Sequence, residues 1–99
     1  MSDDDTMPNR AERRRARAEG VFDQDAFVAL ADRFIDLANR SNRNVDARNV
    51  AAAMMWAAAR YDAHVAKNVL NVAEHEPHVE ERLKAFAEML RQHLADPKL

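Results

Sequence analysis

Between Val50 and Leu70 no more than two charged or amide residues ever stand together, and the run AAAMMWAAARYDAH at 51–64 sets Met54, Met55 and Trp56 side by side. At about 100° per residue, three neighbours point in three directions, so a helix burying only one face would not need them. Little interrupts this pattern. The 99 residues include one glycine, Gly20, and three prolines, Pro8, Pro77 and Pro97, while Ala, Leu, Arg and Glu, all strong helix formers, together make up nearly half of the chain. The expected class is all-α: a three-helix fold with a long central helix, forming a helical-bundle homo-oligomer.

Entry chemistry locates the helices. Asp23 is a suitable N-cap for a first helix over 24–41, with Phe22 and Phe27 placed as a hydrophobic staple. Phe27, Leu30, Ala31, Phe34, Ile35, Leu37 and Ala38 share one wide face, and Asp32, Arg33, Asp36 and Arg40 lie opposite. The stretch 39–44 ends this helix without glycine, so an asparagine there is expected to take the left-handed conformation. Asp46 repeats the cap, with Val45 and Val50 as a second staple, and the central helix is expected to run from 47 to about 73, roughly 40 Å. Pro77, capped by Glu76, is expected to open a third helix reaching about 95.

Residues 1–20 form a separate region, expected to be a disordered charged tail ahead of a single helical domain over 21–99. Arg13, Arg14, Arg15 and Arg17 in that tail are candidate nucleic-acid contacts, set against Glu12, Glu19 and the Asp3–Asp5 triplet. A net charge of −2 opposes attraction of the whole domain to nucleic acid or anionic lipid. Without cysteine there are no disulfides and no thiolate chemistry. The acidic start does not resemble a signal peptide, and no apolar run reaches membrane-spanning length, so the expected location is cytoplasmic.

The central helix has two apolar faces. Val50, Met54, Ala57, Ala58, Tyr61, Val65 and Val72 form the main stripe; Ala52, Met55, Ala59, Ala63, Ala66, Leu70 and Ala73 form a second, small-residue face where another backbone can approach closely. The other two helices could cover both faces in a monomer. A homodimer, with hairpins pairing into four helices as one arrangement, buries the load more fully in so small a chain. The candidate interface is Met54, Met55, Trp56 and Ala59. Broad accessibility of Met55, Ala59 and Ala66 together in an isolated protomer would defeat the case for a paired or sandwiched centre.

Polar residues within this pattern mark a candidate site at Asn39, Arg60, Tyr61, His64 and Asn68. Asn68, in the middle of the main stripe, is expected to make a buried amide hydrogen bond that fixes helix register. Trp56 and Arg60, four residues apart, are placed to stack. Glu74, His75, Glu76, His78 and Glu81 crowd one turn, but HEPH lacks the H-E-x-x-H spacing that sets two imidazoles on one helix face, so no metal is assigned and the histidines are expected to be solvated. No Gly-rich loop, nucleophile elbow or shielded carboxylate pair is present, so neither a cofactor nor an enzymatic role is expected. A helix-turn-helix reading fails because its recognition helix would present alanine and methionine to the groove.

FIDLANRSN at 34–42 and AAAMMWAAARYDAH at 51–64, followed by a C-terminal amphipathic helix, resemble the small bacterial domain-of-unknown-function family 3144, over roughly residues 24–95. The resemblance implies a compact helical bacterial protein with no assigned activity, substrate or cofactor. Asn39, Arg60 and Tyr61 are its matching polar positions, and Asp62 stands where the pattern leads one to expect an amide. The function expected is a helical protein-interaction and self-association module. The alternative is an accessory nucleic-acid-binding protein using the arginine arm and Trp56.

Overall fold

The structure, a computed structural model, describes residues 23–99. Among them are three helices, α1 (Gln24–Ser41), α2 (Ala47–Asn68) and α3 (His75–Leu94), and no strand, which makes the fold all-α. The chain divides between Val50 and Ala51 into two units. No helix among the described residues is long and apolar enough to cross a membrane. The charged tail and its arginines lie outside the described residues, as does Phe22 of the proposed staple.

In the first unit, Asp23 is extended and its carboxylate accepts from the Ala26 N–H at 3.2 Å, satisfying one of the donors that a helix start leaves without a partner. The exit from α1 differs from expectation. Asn42 stays right-handed (φ −65°, ψ −14°), and the chain tightens through short-range bonds, Arg43 N–H to the Arg40 carbonyl and Asn44 and Val45 N–H to that of Ser41. No left-handed asparagine is needed because these turns already occupy the last carbonyls. Asp46 then caps α2, accepting from the Arg48 N–H at 2.8 Å and from both Nε and a terminal nitrogen of the Arg48 guanidinium.

The second unit holds most of α2, a connection and α3. Helix α2 stops at Asn68, about five residues earlier than its pattern suggests. The Leu70 N–H bonds the Val65 carbonyl, the Val72 N–H bonds the Ala66 carbonyl at 2.9 Å, and between them Asn71 takes φ +53°. Among the described residues Asn71 is the one non-glycine residue with positive φ. It turns the chain back so that α3 can return along α2. Changing Asn71→Val should therefore cost about 1–2 kcal/mol, since a branched Cβ opposes that conformation, whereas Asn71→Gly should leave stability unchanged or slightly raised. Equal unfolding midpoints for the two variants would show that the turn does not demand a left-handed residue.

Helix α3 begins at His75, with Glu74 in the cap position and making no side-chain cap bond, so Pro77 is its third residue rather than its first. The first four N–H groups of a helix have no internal partner, so the whole first turn tolerates proline equally well.

Burial is sparse. Among the described residues only Val50 and Ala66 count as buried, at 9% and 7% exposure. Half-buried Asp62, Val65, Val72 and His78 gather with Ala66 at the turn end of the α2–α3 hairpin. Away from that end, Met55 is 63% and Trp56 66% exposed, and Ala59 is exposed too. Among the described residues the central helix is therefore covered at Ala66 but exposed at Met55 and Ala59, so the accessibility that would defeat a paired or sandwiched centre is met at two of its three positions and not at the third. On α1, Phe34, Ile35 and Leu37 are each more than half exposed.

Candidate functional site

Helix α2 carries two groups of polar and aromatic side chains. On its outer surface the Arg60 guanidinium lies 5.6 Å from the centre of the Trp56 ring, as expected of residues one turn apart. The rings of Tyr61 and His64 lie 5.9 Å apart, tilted by 37°. One turn on, the Asn68 amide donates to the His64 carbonyl at 3.0 Å and sits 3.2 Å from its Nδ1. Asn68 is exposed, contrary to the expectation of a buried register bond: α2 ends there, and its amide bonds back to its own helix rather than across to another. The structure thus joins Tyr61, His64 and Asn68 into one exposed strip beside the Trp56–Arg60 stack. Asn39 belongs to α1, in the other unit. Of the apolar candidates, Met54 is the least exposed, and Met55, Trp56 and Ala59 are open.

The second group was not foreseen. Asp62 faces α3, where Arg82 Nε lies 2.5 Å from one carboxylate oxygen and His78 Nε2 lies 3.3 Å from the other. His78 and Arg82 are four residues apart, so they share a face of α3 and close on the same carboxylate. The His78 side chain is 17% exposed, which corrects the expectation of a solvated histidine: the hairpin folds it against α2. Partial burial pushes the Asp62 carboxyl up, but the hydrogen bonds from Arg82 and His78, then their charges, outweigh it and hold the group below its ordinary value. Asp46, bonded by the Arg48 side chain and then its backbone, is lowered likewise, at the exposed start of α2.

A depressed carboxyl stabilises the fold fully above its unfolded value, near 3.9, and that contribution is lost as pH falls through the lower folded value. The thermal midpoint should therefore decline in the acid range below about pH 4, and Asp62→Asn should flatten the decline. Identical pH profiles for the two proteins would remove Asp62 as a contributor.

Chemically, the cluster is an ion-paired clamp between two helices. A carboxylate that orients an imidazole also occurs in hydrolytic triads, but residues 51–99 contain no serine, threonine or cysteine to serve as the nucleophile beside it. Among the described residues no group of three or more His, Asp or Glu side chains is arranged to hold a metal ion.

Asp62, His78 and Arg82 escaped sequence reasoning because their separations of 16 and 20 residues acquire meaning only once the register of the hairpin is known. The departure from the expected amide at Asp62 was the one available signal. No curated protein and no solved structure matches the chain. One family model does, over residues 27–97, taking in nearly all of the three helices together with the Trp56–Arg60 stack and the Asp62 clamp; the chain belongs to the family described as protein of unknown function (DUF3144).

Proposed function

We propose that this protein is a small helical self-association and protein-interaction module, most simply a homodimer, without catalytic activity. The observation that carries this reading is the imbalance of burial. Two residues are buried among those described, while Phe34, Ile35, Leu37, Met55, Trp56, Leu83 and Phe86 each keep more than half of their surface exposed.

Met55 and Ala59 stand exposed on the second unit, to be covered either by water or by a packing partner. Energetics favour the second. Ordering the backbone costs on the order of 1–2 kcal/mol per residue, and the main opposing gain, about 1.5–3 kcal/mol for each large apolar side chain fully buried, is mostly unrealised in one chain. Exposed methionines suit the role because their unbranched side chains adapt to a partner's surface. A measurement of molecular mass across a dilution series tests the reading. The expected result is a mass of at least two chains at micromolar concentration, falling toward one on dilution; a mass of one chain throughout defeats it.

A further inference from the structure

The second unit carries an apolar side whose shape and charge fit one occupant. Because His78 and Arg82 fix which faces of α2 and α3 meet, the helical repeat of 100° per residue decides what lies on either side of the hairpin. Ala59 and Ala63 of α2 fall on the same side as Leu83, Phe86 and Leu90 of α3. The opposite side of α3 carries Glu81, Glu88 and Gln92. The first side therefore presents an exposed ridge, with Leu83 at 63%, beside a trough of small exposed residues.

We infer that this side packs on the same side of a second copy, the α3 ridge of each chain lying in the α2 trough of the other, to form a four-helix bundle. The assignment rests on the self-association proposed above and names its surface. A ridge beside its own complementary trough is what a two-fold contact requires, because whatever residue i meets in the partner must meet i in return.

Area agrees. Large apolar side chains offer on the order of 150–200 Å² each, so Met55, Leu83, Phe86, Leu90 and Leu94, all between 46% and 76% exposed, leave roughly 500 Å² on one chain. Doubled across the two-fold, with apolar surface making up about 65% of such an interface, the total is about 1,600 Å², the usual size of a stable specific contact.

Charge agrees as well. Asp62, the one acid of α2, is already engaged by Arg82, so the charges α2 offers a neighbour at its outer edge are Arg60 and Lys67. Of the acids of α3, Glu81 and Glu88 lie on the opposite side, the latter beside Arg91, which leaves Glu76 and Glu80 toward the outer edge of the ridge. Setting the partner's α3 over α2 therefore brings these two carboxylates toward a basic edge.

The natural absence of cysteine makes the test direct. Chains carrying Ala59→Cys are mixed with chains carrying Leu83→Cys, Phe86→Cys or Leu90→Cys and oxidised; since each chain has one thiol, a mixed disulfide can arise only between chains. At least one of the three mixtures should yield the mixed dimer in preference to either homodimer. Ala59→Phe, which fills the trough, should weaken dimerisation at least tenfold while far-ultraviolet circular dichroism stays helical, and Glu81→Lys on the opposite side should not. Should Ala59→Phe unfold the chain, the milder Ala63→Leu replaces it with the same expectation. A wild-type oligomer that gives no mixed disulfide and tolerates both trough-filling changes overturns this surface and leaves self-association standing. A mass of one chain at every concentration, with the side covered from within the chain or left to a different protein, overturns both.

Discussion

Replacing Asp62 with alanine is expected to lower the stability of the α2–α3 hairpin by about 1–2 kcal/mol. The carboxylate accepts from Arg82 on one oxygen and from His78 on the other, and this is the polar contact that ties the two helices together across the connection. Hydrogen bonds to charged groups contribute about 1.5–3 kcal/mol when shielded. The Arg82 side chain is more than half exposed, so solvent screens its share and it can turn to water once Asp62 is gone. His78 cannot do so readily, and an imidazole left at the hairpin turn without its acceptor accounts for much of the loss. Asp62→Asn keeps a carbonyl oxygen for one donor and should lose less. Urea unfolding of both variants and the parent at one fixed protein concentration checks this, the concentration being held because association would itself shift the midpoint. Unchanged midpoints in both variants would show that apolar packing around Ala66 alone holds the hairpin closed.

How far the fold could be read in advance depended on the range of the interaction. Asp23 and Asp46 announce the starts of α1 and α2 because a capping carboxylate reaches N–H groups only two or three residues away, and both contacts form. The end of α2 was misplaced for the same kind of reason in reverse. Val69, Leu70, Val72 and Ala73 continue an apolar helical spacing, and the asparagines of 39–44 looked the better candidates for a left-handed turn. The bend at Asn71 instead follows from the return of α3, a tertiary demand that overrides local pattern. Among candidate site residues, the Trp56–Arg60 stack is local to one helix and was legible. The Asp62 clamp joins two helices, and a helix end misplaced by about five residues was enough to hide it. Family membership was legible from two short runs because those runs lie on α1 and α2, inside the matched region.

Placing a charge on the exposed middle of α2 should have the largest effect on assembly. On the proposed reading, Met55→Lys puts an ammonium where a second chain packs, and burying it without a partner costs several kcal/mol unless the interface opens. A loss of about 2.7 kcal/mol corresponds to a hundredfold weaker dimer, so at a concentration where the parent is dimeric the variant should run as one chain. Met55 is 63% exposed in the protomer, so the change creates no buried charge within the chain itself and disturbs no hydrogen bond of the Asp62 clamp. Lysine also matches methionine in helix propensity, so α2 should remain helical and any loss of helix should follow from loss of the partner. Two readouts separate these effects: molecular mass across dilution, and helical content at each concentration. A parent whose thermal midpoint rises with concentration, beside a Met55→Lys variant whose midpoint is lower and independent of it, is the expected pair of results. Identical mass profiles for variant and parent would place the contact elsewhere on the molecule, and with the α2 trough excluded, the exposed Phe34 and Ile35 of α1 would be the next surface to charge.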